Sequence, residues 1–140
     1  AENIKKYVGD DIWKSYMKIS IVRNPWDHAV SMYKWMSHYN YENVGQDTFA
    51  GFLENKYKLM WPFFSVRERY IVDFMIEFED LSNSLKKLQN EFPVDSRDIP
   101  HTKKNTRKKA KDYNKMYDRY TENLVSEMNS QIIQRFNYSF

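Results

Sequence analysis

Hydrophobic positions divide the first third of the chain into a helix, a strand and a second helix. In residues 2–16 apolar side chains recur every fourth position, which predicts a short helix with one apolar stripe, weakened by Gly9. The stripe comprises Ile4, Val8, Ile12 and Tyr16. Residues 17–22 are short and mostly apolar, as is typical of a strand. From Pro25 the apolar spacing is again helical, with Trp26, Ala29, Val30, Tyr33 and Met36 on one face.

The rest of the chain is predicted to contain one further strand and three further helices. The pattern predicts a short helix over 47–57, an aromatic loop over 60–64 and a strand over 70–78 that is covered on both faces. The next helix ends before Pro93, and a final helix spans roughly 117–135. Alternating helices and strands predict a helix-rich α/β fold, with a small parallel sheet flanked by helices.

Composition indicates one globular domain over residues 1–140. The chain is 41% hydrophobic and has a net charge of +3, which is too balanced to indicate nucleic-acid binding by itself. It has no cysteine, and its three histidines lack the spacing of metal ligands, so no metal site is predicted. No apolar run is long enough to span a membrane. The absence of cysteine and of a targeting segment favours a cytoplasmic location, and the missing initiator Met indicates a piece of a longer product.

The junction between the first strand and the second helix carries the main candidate chemistry. Arg23 follows the strand, Asn24 is a favoured N-cap residue, and Pro25 occupies the first helical position. Free N–H groups and the helix dipole at such a junction favour a phosphate, and helical periodicity places Ser31 outward on the following helix. In the alternative interpretation, Arg23 pairs with Asp27 and Ser31 is an ordinary surface residue.

These residues carry a resemblance to a known family. The run Ile21-Val22-Arg23-Asn24-Pro25-Trp26-Asp27, with Ser31 and Tyr33, resembles the 3′-phosphate-binding element of sulfotransferases that use the sulfate donor PAPS. The nearest group is the carbohydrate sulfotransferases and their microbial and viral relatives. Val72-Asp73, the run 78–81, Pro100-His101 and the ending 136–140 are also similar, and they occur in the family's order.

The resemblance implies a P-loop-like layered fold and a function. Arg23 and Ser31 would hold the 3′-phosphate of PAPS or of its desulfated product PAP. A sulfuryl group would pass to a hydroxyl or amino group, expected to belong to a carbohydrate or another small acceptor. His28 stands where relatives usually carry Arg. The family's Lys-bearing phosphosulfate loop should precede residue 1, so we expect the C-terminal part of a sulfotransferase domain, or a degenerate relative, that binds the donor without completing turnover.

A basic run later in the chain adds a second candidate site. Its six cations are Lys103, Lys104, Arg107, Lys108, Lys109 and Lys111. By resemblance, Lys104 and Arg107 would contact the donor's phosphates, whereas a solvated loop is the alternative interpretation. A nucleic-acid-binding role, with Tyr113 and Tyr117 stacking on bases, is less favoured because no nucleic-acid module is visible.

Two further questions stay open at this point. A non-catalytic nucleotide or polyanion-binding module would use the same junction and the same basic run. No catalytic residue is assigned: Glu79 is a candidate base for the acceptor proton, but an acid directly after a strand more often caps the next helix.

Overall fold

The computed structural model describes residues 1–92 and 112–140. The α-helices are α1 (Glu2–Val8), α2 (Asp10–Ser15), α3 (Pro25–His38), α4 (Phe49–Asn55), α5 (Trp61–Phe64), α6 (Leu81–Glu91), α7 (Arg119–Met128) and α8 (Ser130–Phe136). The strands are β1 (Ile19–Val22), β2 (Ser65–Val66), β3 (Arg69–Tyr70) and β4 (Phe74–Glu77). Short 3₁₀ segments cover Tyr41–Gln46, Phe78–Asp80 and Asp112–Met116.

β1 and β4 form a two-stranded parallel sheet. β1 pairs with β4 in a register that runs from Ile19 opposite Phe74 to Val22 opposite Glu77. The crossover between them contains α3, α4, α5 and an antiparallel hairpin of β2 and β3. The fold is therefore helix-rich with a small parallel sheet, as the sequence predicted, and it is compatible with the α/β class.

The start of α3 follows from its first residues. The Asn24 side chain accepts hydrogen bonds from the backbone N–H groups of Trp26 and Asp27, and Pro25 fills the first position. The predicted apolar face of α3 packs into a core with α4 and α7, around Trp26, Met36, Phe52, Leu53 and Val125. A second core lies under β1, where Val22, Met60, Phe64, Val72 and Ile132 pack together.

The N-terminal segment differs from its prediction. Gly9 takes a left-handed φ of 83°, which ends α1 and lets the chain restart as α2. The predicted stripe does not pack as one face, because Ile4 is 61% exposed and Ile12 and Tyr16 are also exposed. Periodicity alone identified helical residues here and overestimated their burial.

The C-terminal segment also breaks where one helix was predicted. α7 ends and α8 begins at Asn129, a buried residue whose amide donates to the Val125 carbonyl. After α8 the aromatic tail folds back onto the start of α3, and the Phe140 ring lies 5.7 Å from Trp26 and 5.4 Å from Tyr117. The tail therefore packs against the junction between β1 and α3, which carries Arg23.

Two other predictions need correction in this part of the chain. The aromatic segment 60–64 is a single helical turn and not a loop, since α5 covers Trp61–Phe64. The strand predicted over 70–78 covers only Phe74–Glu77, because residues 69–70 turn back to pair with β2.

Candidate functional site

The guanidinium of Arg23 is paired with a carboxylate. Its Nε donates to Asp27 Oδ2 over 2.6 Å, and the two side chains are only 15% and 9% exposed. The guanidinium carbon also lies 4.4 Å from the ring centre of Phe78. The ion pair that the sequence allowed as an alternative is thus present. Asp27 itself is buried in the first turn of α3.

The backbone N–H groups at the start of α3 are already used. Asn24 Oδ1 accepts from the N–H groups of Trp26 and Asp27, and Pro25 has no N–H group. The N–H of Asn24 itself donates to Glu79 Oε1 over 2.6 Å. The expectation of free N–H groups pointing outward here is therefore wrong. Any phosphate at this junction depends on side chains.

Glu79 joins the ends of the two parallel strands. Besides Asn24, it accepts a hydrogen bond from the Tyr138 hydroxyl through Oε2 over 3.1 Å. Burial, reinforced by this carboxylate, raises the pKa of Tyr138, so the hydroxyl stays protonated and can donate. Glu79 does not cap α6, whose N-cap is Asp80. The capping role predicted for Glu79 is wrong, because the side chain reaches across to β1.

His28 lies one turn into α3 beside the ion pair. Its Nδ1 is 3.1 Å from the Tyr57 hydroxyl. Burial lowers the His28 pKa to about 4; the nearby Arg23 also lowers it, whereas Asp27 opposes the shift. Burial raises the pKa of Tyr57, so its hydroxyl remains protonated. At neutral pH the junction therefore presents an uncharged imidazole.

Ser31 lies one turn beyond Asp27 on α3 and is half-buried. Residues four apart on a helix have neighbouring side chains, so Ser31 adjoins the position that Asp27 and Arg23 share. Its predicted outward presentation is only partial. Arg23 precedes α3 and pairs with Asp27 in its first turn, and Ser31 lies one turn further along the helix.

The C-terminal part of the chain forms one wall of the junction. The Tyr117 hydroxyl donates to the Trp26 carbonyl over 2.8 Å, and Asn24 Nδ2 donates to the Ser139 carbonyl over 3.1 Å. Burial raises the pKa of Tyr113, with the carboxylates of Asp27 and Glu79 as further causes. Tyr113 therefore lies close to Asn24, Asp27 and Glu79 at the junction. Tyr113 and Tyr117 pack here with Phe140.

The predicted basic contacts lie outside the described residues. Lys104 and Arg107 belong to the segment between 92 and 112. At the junction itself, Arg23, Asp27 and Glu79 supply one cation and two carboxylates.

Sequence reasoning missed several of these contacts. The two strands stay in register beyond their ends, so that Arg23 meets Phe78 and Asn24 meets Glu79. The carboxyl ends of neighbouring parallel strands meet at one edge of the sheet. The two predicted strands therefore already indicated that the residues following them would lie close together. No local pattern indicated that Tyr57 would meet His28, because 29 positions separate them.

Comparison of the chain with protein-family models, with curated proteins and with solved structures finds no match. The resemblance to PAPS-dependent sulfotransferases stays a prediction from the motifs. Within residues 1–92 and 112–140, no helix is long and apolar enough to cross a membrane. The same ranges contain no cluster of His, Cys, Asp or Glu side chains with the geometry of a metal site.

Proposed function

We propose that this chain binds the 3′-phosphate end of PAPS and forms part of a sulfotransferase domain with a P-loop-like fold. The sulfuryl acceptor would be a hydroxyl or amino group, with a carbohydrate as the favoured class. The observation that carries the proposal is the position of Arg23 and of the start of α3 at the edge where β1 and β4 both end. Ligands of open parallel sheets bind at this edge.

The contacts of Arg23 favour a preorganised anion site. Arginine presents its N–H donors in a planar fork, and the Asp27 bond together with the Phe78 ring fixes the plane of that fork. A phosphate monoester carries more than one negative charge at neutral pH, so it attracts the guanidinium more strongly than a single carboxylate does. Ser31 would add a neutral donor beside it.

The charges at the junction make the basic run part of the proposal. Because the Asp27 carboxylate already pairs with the Arg23 guanidinium, the donor's phosphates need further cations, and we assign that role to Lys104 and Arg107. The supporting observation is Tyr113, which lies by Asn24 and follows the basic run closely in sequence. Sulfuryl transfer, like phosphoryl transfer, depends on positioning and on cationic stabilisation of the leaving oxygen. The catalytic base remains unassigned, and a cytoplasmic location stays a prediction.

Isothermal titration calorimetry with two isomers tests the proposal without any substitution. PAP carries its phosphates at the 3′ and 5′ positions, whereas adenosine 2′,5′-bisphosphate has the same charge and composition. We expect PAP to bind at least about tenfold more tightly, the effect of one or two charge-assisted hydrogen bonds. Equal affinities would favour the second candidate function, a non-catalytic polyanion-binding module. Absence of PAP binding would overturn both assignments.

Matched variants then locate the site. Ser31→Ala should weaken PAP binding about tenfold and leave the 2′,5′ isomer unaffected, whereas the exposed Ser82→Ala should change neither affinity. The double variant Lys104→Gln, Arg107→Gln should weaken binding of both isomers, because it removes positive charge that attracts either of them. Arg119→Gln, an exposed cation on α7, is the control for that pair. An unchanged PAP affinity in Ser31→Ala would remove this residue from the site.

A further inference from the structure

The far end of α3 carries a group of exposed aromatic side chains. Trp35, Tyr39 and Tyr41, here called the aromatic platform, are 48%, 65% and 50% exposed. The Trp35 ring centre lies 5.5 Å from that of Tyr39 and 6.1 Å from that of Tyr41. Three neighbouring aromatic side chains that are each about half exposed differ from the scattered apolar side chains of an ordinary surface.

The platform offers hydrogen-bonding groups but little charge. Among the residues that the structure describes, the Trp35 indole and the Tyr39 and Tyr41 hydroxyls have no hydrogen-bond partner. From Trp35 to Asn43, Glu42 is the only residue with a formal charge at neutral pH, in a chain that is 29% charged. The neutral polar groups of this segment include the side-chain amides of Asn40 and Asn43. Lys56, a cation beside this segment, pairs with Asp47 and donates to the Glu42 carbonyl, so its charge is already engaged and attracts a polyanion only weakly.

The backbone that carries the platform is held in an unusual conformation. Asn40, Glu42 and Asn43 have left-handed φ values of 47°, 51° and 58°, which cost free energy and persist only where the surroundings impose them. Two contacts impose this shape. Val44 is fully buried, and Lys56 Nζ donates to the Glu42 carbonyl over 2.7 Å. The rings are therefore presented on a fixed support.

We infer that the aromatic platform binds a neutral carbohydrate. The C–H face of a pyranose ring is apolar and stacks on an aromatic face, whose negative quadrupole attracts polarised C–H groups. The sugar hydroxyls at the edge of that ring are matched by the indole N–H, the two phenol hydroxyls and the asparagine amides. Aromatic faces rimmed by uncharged donors and acceptors thus suit a glycan better than a charged or wholly apolar partner.

This site is separate from the junction that binds the proposed donor. α3 has 14 residues and is therefore about 20 Å long, with Asn24 at one end and the platform at the other. The inference does not rest on the donor assignment. A glycan held here would reach the junction only if it were an extended oligosaccharide.

Tryptophan fluorescence and calorimetry with cellohexaose and N-acetylchitohexaose test the inference. Trp35 is the exposed one of the four tryptophans, so a bound sugar should shift its emission to the blue. We expect Trp35→Ala and Tyr39→Ala each to weaken binding at least about tenfold, and Trp35→Phe to retain part of it. Tyr7→Ala, at a 92% exposed tyrosine of α1, is the matched control and should not change the affinity.

Three results of the binding measurements would overturn the inference. These are no binding of either sugar up to its solubility limit, equal binding by Trp35→Ala, and tighter binding of a heparin hexasaccharide than of the neutral sugars. A concentration-dependent dimer that Trp35→Ala abolishes in sedimentation velocity would also overturn it, by showing that a second copy covers the platform. PAP affinity is measured on the same variants and should not change, so failure here is distinct from failure of the donor proposal.

Discussion

The Glu79 carboxylate accepts a hydrogen bond from the backbone N–H of Asn24 over 2.6 Å, although 55 positions separate the two residues. This bond joins the chain after β4 to the chain after β1, directly before α3 begins. With the bond from Tyr138 to the other carboxylate oxygen, it ties the C-terminal tail to the same point. Glu79 therefore holds the edge at which the proposed donor binds.

Replacing Glu79 tests this role. Glu79→Ala removes both acceptors and leaves the Asn24 N–H in a partly buried place, so we expect a loss of about 1–2 kcal/mol in the free energy of unfolding. Glu79→Gln keeps an acceptor oxygen and should lose less. Urea unfolding measures both variants, with the exposed Glu91→Ala of α6 as the control. Equal stability of Glu79→Ala and Glu91→Ala would show that the bond contributes nothing.

The ion pair of Arg23 and Asp27 should be strongly coupled. Both side chains are largely buried, and removing one partner takes from the other a short charge-assisted hydrogen bond. A double-mutant cycle with Arg23→Gln and Asp27→Asn should give a coupling free energy of about 1–3 kcal/mol. Urea unfolding of the four proteins measures it. A coupling free energy near zero would mean that solvent screens the pair as it does a surface ion pair.

His28 should make stability depend on pH. Its pKa is about 4 in the folded protein and near 6.5 when unfolded, so the unfolded chain binds the proton first as pH falls. Stability is full above pH ~6.5 and declines towards pH ~4, by roughly 1–3 kcal/mol. His28→Asn should flatten this decline, whereas His38→Asn, at an exposed histidine of the same helix, should not. Thermal unfolding between pH 7.5 and 4 compares the three proteins, and parallel curves would contradict the buried neutral imidazole.

Much of the fold was predictable because it depends on local signals. Asn24 and Pro25 fixed the start of α3, and short apolar runs indicated both strands of the parallel sheet. The β2–β3 hairpin was not predictable, because Arg67 and Glu68 form its turn at left-handed φ values of 47° and 61°. Such a turn is normally signalled by glycine or asparagine. The break at Asn129 is likewise set by packing and not by periodicity.

Sequence patterns identified the residues of the candidate site but did not predict which contacts these residues make. The pattern put Arg23 at the end of a strand and Ser31 on the following helix and allowed an ion pair with Asp27, but it did not decide between a bound ligand and an internal partner. That choice depends on contacts that are distant in sequence, such as that of Arg23 with Phe78, which follows β4. Long-range contacts of this kind leave no periodic trace in the sequence.

A crystal structure of the protein with PAP would test the central claim most directly. We expect the 3′-phosphate oxygens to lie about 2.7–3.2 Å from the Arg23 guanidinium nitrogens and from Ser31 Oγ, with the adenosine at the edge where β1 and β4 end. A structure in which PAP binds elsewhere, and Arg23 contacts only Asp27 and Phe78, would contradict it.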